Sequence, residues 1–355
     1  MKSISISFLI LITAMAIAQE SNPLLIKGEL YSNHRLLLKD QNDWAWNENR
    51  LDLNMQKRTG SINFYSNIWL RHLNAPQLET SQQLYSKDQI NPWNLEIREA
   101  YAEVRGFVFD NLDFKIGRQL IPWGTADQFN PTDNLNPFDL EDVLDFGRRR
   151  GIEAVNLNWY FNHAFSLQVV YIPFFRPANL PIGVFSELFN APVKLPAEMV
   201  LNQYSDKLIM PRHNLTDGAT LGFRFKGFAL NTDFSLSYIY GRDGLPQPVK
   251  SKLTNTEEGV DIYNEMFFPR HHIIGADLAG SIGSFGVWAE AAVFVPEKEL
   301  FMNISLIGFN PLFPVMHRDS MVLKKDPYIK FIAGTDYTFR NGIYANLQYL
   351  HGFIH

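Results

Sequence analysis

The sequence predicts an all-β chain, an antiparallel transmembrane barrel of the outer-membrane kind, and three observations predict it. Runs of about ten residues alternate apolar and polar side chains, the period of two that puts one face of a strand toward lipid and the other toward a wet interior. The connections between those runs alternate short and long, the sorting expected when tight turns lie on one side of a membrane and long loops on the other. The chain also opens on an export signal, yet no later run of eighteen apolar residues exists to make a spanning helix.

The signal is read over residues 1–18. Lys2 is its basic start, Ile4 to Ile12 its apolar stretch, and Ala16-Ile17-Ala18 a small-x-small cleavage site. Cleavage there removes one lysine and takes the formal net charge from −5 to about −6, a balance that offers nucleic acid nothing. The chain has no cysteine, so neither disulfides nor a thiolate zinc site can staple it. Residues 19–355 are read as one barrel domain, C-terminally incomplete.

The strands follow in order. Residues 26–30 and 51–56 lead, and Lys57-Arg58-Thr59-Gly60 turns into 62–70, where Ile62, Phe64, Ile68 and Leu70 oppose Asn63, Tyr65, Asn67 and Trp69. Further strands are expected near 94–105, 112–119, 152–161, 164–172, 219–226, 230–240, 272–281, 284–295, 328–339 and 342–351. That makes about thirteen. An even number with both ends periplasmic is the rule for single-chain barrels, so the intact chain is expected to have fourteen or more. Tight turns are expected at 57–60, 106–111, 162–163, 227–229, 282–283 and 340–341, and long polar loops at 39–48, 73–93, 120–151, 173–218, 241–271 and 296–327. The lipid face includes Phe223, Phe225, Phe234, Leu236, Tyr238, Tyr240, Phe285, Val287, Ala289, Ala291 and Val293, with Trp159, Tyr160 and Phe161 as an interfacial girdle.

One connection stands apart. From Gly117 to Gly151 the chain is dense in Pro, Asn and Asp, far longer than a hairpin needs, and its Trp123, Phe129, Phe138 and Phe146 argue against disorder. Asn and Asp side chains bond their own backbone and the prolines fix φ, so this loop can be rigid without regular structure. Asp139 with Leu140, Val143 and Leu144 reads as the capped start of a short helix. The 120–150 loop is expected to fold inward and constrict the lumen.

The candidate pore residues follow from those two features. Glu99, Tyr101 and Glu103 share a strand face opposite Ala100, Ala102 and Val104, which directs the carboxylates to the lumen. Arg98, Lys115, Arg118 and the run Arg148-Arg149-Arg150 are their expected partners. The triple arginine reads two ways: as a basic rung that attracts anionic solutes, or as an ion-pair network with Asp139, Glu141, Asp142 and Asp145. From the loop itself come Trp123, Asp127, Asn130, Asp133 and Asn134. Catalysis is not expected: no G-x-S-x-G, H-E-x-x-H or P-loop occurs, Gly280, Gly283 and Gly286 bracket a hairpin turn, and His271-His272 point to opposite strand faces, so they cannot share a metal. A solvated strand end accounts for that pair. No cofactor is expected.

Gly117-Arg118-Gln119, Trp123-Gly124, Ala126-Asp127 and Asn130-Pro131-Thr132-Asp133-Asn134-Leu135 together resemble the loop motif of a group of Gram-negative outer-membrane porin-like β-barrels, distantly similar to alginate-export barrels. Phe174-Phe175-Arg176-Pro177-Ala178-Asn179-Leu180-Pro181 is similar to a second segment of that group. The resemblance is dense over 95–181 and implies an outer-membrane barrel of a Gram-negative-type cell. The function expected is a porin-like channel for small polar or anionic solutes. The alternatives are a transporter for hydrophobic molecules, favoured by Leu180-Pro181-Ile182-Gly183-Val184-Phe185 and the Phe-rich 308–313, and a structural or adhesive barrel. The partners expected are outer-membrane lipid and a small solute, with self-association into a homo-oligomer left open and nucleic acid excluded.

Overall fold

The computed structural model describes residues 22–36, 44–74, 81–85, 90–126, 128–182, 185–186, 199–212, 214–310 and 312–353. The export signal at 1–18 and the pore candidate Asp127 lie outside the described residues. The chain forms two compact units, Met1–Leu120 and Ile121–His355.

In the first unit β1 (Leu25–Leu36), β2 (Trp44–Thr59), β3 (Ile62–Leu73), β4 (Trp93–Val104) and β5 (Leu112–Gln119) follow one another as an antiparallel ladder. The alternation read from the sequence becomes two chemically distinct faces. On β3, Ile62, Phe64 and Leu70 are exposed while Asn63, Asn67 and Trp69 are buried. β2 is longer than its alternating core because Trp46 and Glu48 extend the buried face toward its start. A bulge breaks the β3–β4 register: Asn67 pairs with Glu99 and Ile68 with Ile97, leaving Arg98 as the extra residue. Extra residues of this kind re-aim side chains. Arg98 is thereby turned onto the buried face, where it pairs with Glu96 at 2.6 Å. Gly117 permits the β4–β5 crossing, since its φ is +125 and a Cβ there would sit 2.4 Å from the Ala100 carbonyl oxygen.

In the second unit eight strands form an antiparallel ladder in the order β6 (Ile152–Tyr160), β7 (Phe165–Ile172), β9 (Thr220–Ala229), β10 (Thr232–Arg242), β13 (Arg270–Ile282), β14 (Phe285–Pro296), β17 (Tyr328–Thr338) and β18 (Tyr344–His351). Together with the five strands of the first unit, these are the thirteen that periodicity predicts. The β9–β10 turn falls at Leu230-Asn231, with φ of 54 and 58, and not at 227–229. Two successive positive φ values mark the primed turn that suits hairpin twist, and a leucine in that place conceals it from sequence.

Five further strands occupy the stretches expected to be long polar loops. β8 (Leu201–Ile209), β11 (Gln247–Asn255), β12 (Val260–Phe267), β15 (Leu300–Ile307) and β16 (Val315–Leu323) make a second sheet in the order β16-β15-β11-β12-β8. Its β11–β15 and β12–β8 pairings are parallel. Of these, β8 is exposed from Leu201 through Leu208 and so offers a period-two reading no buried face to find. Eighteen strands are present among the described residues, and the 139–144 stretch is irregular instead of helical, because Asp139 is bonded to Arg148 and Asn179 and is not available to cap a helix.

Candidate functional site

The segment from Ile121 to Arg150 lies against the polar face of the second unit's main ladder. That face carries Gln168, Arg224, Ser235, Ser237, Asp277 and Glu290, all buried, whereas the opposite face exposes Phe223, Leu236, Ile274, Leu278 and Ile329. Trp123, 1% exposed, is the anchor: its Nε1 donates to Gln168 Oε1 at 3.0 Å, and its ring lies over Gly222, where a Cβ would approach it to 2.9 Å. The Glu290 carboxylate is the second anchor. It accepts from the amides of Thr125 at 3.0 Å, Ala126 at 3.1 Å and Thr132 at 2.8 Å, and from Thr132 Oγ1 at 2.8 Å. A buried carboxylate so supplied has its lone pairs filled and holds three loop amides in place. Asn136 ties the two ends of the loop together, accepting from the Ile121 amide at 2.7 Å and donating to the Arg150 carbonyl at 2.8 Å. Beneath these bonds Ile121, Trp123 and Leu135 pack with Ile152, Val170, Ile172, Ile239, Ile273 and Phe294 in one apolar cluster.

Each arginine of the triplet is engaged. Arg148 contacts Asp139 at 3.0 Å, Glu141 at 3.0 Å and Asp145 at 3.2 Å. Burial works to lower its pKa, but these acids outweigh it and the guanidinium ends above its ordinary value. Arg149 contacts Asp133 at 3.2 Å, donates to the Asp133 carbonyl at 2.9 Å and lies over the Phe138 ring at 3.4 Å. Here burial wins on both sides: it pushes the Asp133 carboxyl up against the pull of Arg149 and pushes the Arg149 guanidinium down. The charges of this pair lose more to desolvation than they regain from each other. Arg150 donates to Asn179 Oδ1 at 2.7 Å. Of the three, Arg148 makes the contacts with Asp139, Glu141 and Asp145, whereas Arg149 turns to Asp133 and Arg150 to Asn179. Asn130 and Asn134 serve the loop's own turns, the first accepting from the Asp133 amide at 3.1 Å and the second donating to the Pro131 carbonyl at 2.6 Å.

In the first unit Glu99 accepts from the Leu120 amide at 2.9 Å, and Glu103 accepts from Asn63 at 3.3 Å with Lys115 Nζ at 3.9 Å. Tyr101 stands 5.2 Å from Tyr65, ring to ring, with Lys115 4.4 Å above it. Arg118 lies on β5 opposite Ala100. A charged cluster on this face brings Arg98, an expected partner of the carboxylates, together with Glu48, Arg50 and Arg71, which were not among the sequence candidates. Trp69 is sandwiched between Arg50 at 3.9 Å and Arg98 at 4.3 Å, while Glu48 contacts Arg71 at 2.9 Å and Arg50 at 3.2 Å. Its signal was the recurrence of charge on alternate residues, Glu48-x-Arg50-x-Asp52, which places all three on one face.

Within the second unit a cavity of about 160 Å³ opens under Asn134–Phe138. His271 and Lys330 line it beside Ile152, Ile239, Phe294 and Tyr328. His271 is 3% exposed, which overturns the solvated strand end expected for it; His272, on the other face, bonds Tyr238 Oη at 2.8 Å.

A family model described as Protein of unknown function (DUF1302) matches residues 39–348. The chain belongs to this family. No curated protein matches it. Among solved structures, this DUF1302 chain is similar to Pseudomonas putida OprB, with 13% identity over 95% of this chain and 90% of that one at a TM-score of 0.36. It is also similar to Pseudomonas aeruginosa OccK2 (OpdF), solved in complex with glucuronate, with 9% identity over 92% and 79% at 0.34. For OmpT of Vibrio cholerae, in its trimer form, the identity is 10% over 93% and 89% at 0.30.

Proposed function

We propose that this DUF1302 chain is an outer-membrane porin-like channel: residues 19–355 belong to one barrel domain, C-terminally incomplete, and the 120–150 loop narrows a lumen that passes small polar or anionic solutes. The observation that carries the reading is the division of the second unit's ladder into two faces. Phe223, Leu236, Ile274, Leu278 and Ile329 are exposed on one side, and their alternating neighbours Arg224, Ser237, Asp277 and Glu290 are buried on the other. Aligned exposed aliphatic and aromatic side chains are unfavourable against water and favourable against lipid tails. The polar face is then the lumen wall, and the loop bonded to it by Trp123 and Glu290 is the constriction. The wall and constriction residues proposed are Glu99, Tyr101, Glu103, Arg118, Trp123, Asp127, Asn130, Asp133, Asn134, Arg148, Arg149 and Arg150.

Purified protein in a planar bilayer tests this. Discrete ohmic conductance steps are expected, because a water-filled lumen carries ions. Absence of current, with uptake of detergent or fatty acid, would assign the protein to the transport of hydrophobic molecules. Absence of both would leave a structural barrel.

A further inference from the structure

The cavity beneath Asn134–Phe138 holds two cationic or hydrogen-bonding groups whose use the loop docking does not explain. His271 is buried, and its Nε2 has no hydrogen-bond partner among the described residues. A buried ring nitrogen left unbonded is costly, and an absent ligand is one of its ordinary explanations. The Lys330 ammonium stands 4.9 Å from the Phe294 ring centre and 5.9 Å from that of Tyr328. Those same two rings meet His271 edge-on, each at 6.3 Å. Imidazole and ammonium therefore converge on one aromatic corner.

The other cations lining the cavity are committed elsewhere: Arg149 to Asp133, Arg242 to Asp217 at 2.6 Å and Arg176 to Glu153 at 3.3 Å. Lys330 makes no ion pair among the described residues. The lining acid is Asp243, one oxygen of which accepts from the Leu245 amide at 3.0 Å; its charge also acts on His271 and Lys330, without an ion-pair contact to either among the described residues. The rest of the wall is largely Ile152, Ile172, Ile239, Ile273 and Phe294, so a ligand here needs an apolar body as well as a charged end. Its size follows from the volume. An apolar cavity of about 150 Å³ accepts a benzene ring, and this one measures about 160 Å³.

We propose that the cavity is a binding station for a one-ring aromatic carboxylate, its ring against Ile239, Ile273 and Phe294 and its carboxylate accepting from Lys330 Nζ and His271 Nε2. The proposal deepens the channel reading by naming a solute class and a place where that solute pauses. It rests on the channel reading for its biological sense but not for its test. A carboxylate is favoured over a neutral head because a charge-assisted bond to a desolvated ammonium is stronger than a neutral one. It is favoured over an amine because Lys330 would repel a second cation.

The test is calorimetric titration of the full-length protein, folded in detergent, with benzoate, benzyl alcohol and benzylamine, which share one ring and differ in charge. Benzoate is expected to bind, with benzyl alcohol and benzylamine each weaker by about tenfold or more, as expected for loss of a charged hydrogen bond. Lys330→Gln and His271→Phe should each weaken benzoate to a similar degree while leaving benzyl alcohol unchanged. Lys330→Arg should retain most of the binding. Should the variants fail to fold, the wild-type protein still decides, because 2-naphthoate should be excluded by size. Equal binding of the three one-ring probes, preference for benzylamine, no benzoate binding, or full retention by Lys330→Gln would each overturn the proposal. Conductance is measured separately, so a protein that conducts but ignores benzoate defeats the station alone. One that binds benzoate but carries no current defeats the channel alone.

Discussion

At the scale of single residues, burial and partner supply decide what each polar group does, and Asp133 gives the sharpest expectation. Its carboxyl is pushed above its ordinary value of 3.8 by burial, which outweighs Arg149 and the Trp123 amide. An acid whose folded-state pKa is raised favours the folded protein when protonated, so this contribution is full below the ordinary value and is lost as pH rises through the raised one. Wild type should therefore lose stability relative to Asp133→Asn as pH is raised from 3.8, in denaturant unfolding followed across that window. Parallel curves for the two proteins would show that burial is not acting on this group. Residue-scale reading of the sequence was uneven in an instructive way. The opposite facing of His271 and His272 follows from strand geometry alone, but the rings that meet His271 in the folded unit, Phe294 and Tyr328, come from two other strands. The same holds for Glu290, an unremarkable alternate residue of β14 until three amides of a loop more than 150 residues earlier in the chain donate to it.

At the scale of elements, the thirteen alternating strands were legible because each has one apolar and one polar face, the condition that period-two reading detects. The five strands of the second sheet were not; in β8 the reason is plain, since it is exposed from Leu201 through Leu208 and no buried face marks a period. That the 121–150 loop is ordered and packed was legible from its length and aromatic content, whereas its attachment points on the ladder were not, because two of them are glycines in other strands. Gly222 makes room for the Trp123 ring, and at Gly275 a Cβ would stand 2.6 Å from Thr132 Cγ2 and 2.5 Å from Ser237 Oγ. Gly275→Val should therefore push the loop off the ladder while keeping the strands. The expected observation is unchanged β-signal in circular dichroism together with new protease cleavage inside 121–150 and larger single-channel conductance. A variant as resistant as wild type, with the same conductance, would mean that the loop does not need this close approach.

At the scale of the whole molecule, the chain's two-faced ladders have to meet two solvents, and the assignment of faces can be tested without knowing the cargo. Leu236 is 58% exposed, and its cross-strand neighbours on the same face are Phe225 and Ala276, all apolar. If that face meets lipid, Leu236→Arg places a charge among hydrocarbon tails and should lower stability by about 2–4 kcal/mol near the bilayer midplane. In water the same exposed arginine would cost little, because it could extend into solvent. Asn156 is the matched control on the other face. It accepts from Gln168 at 3.1 Å and from Asn158 at 3.4 Å, so Asn156→Asp preserves both acceptor roles and should be far milder. Unfolding midpoints in lipid vesicles, compared with those in detergent, give the answer. A penalty for Leu236→Arg that grows with bilayer thickness identifies the outer face as a lipid face. A small penalty in both media, or a larger one for Asn156→Asp, would reverse the faces and with them the placement of the loop in a lumen.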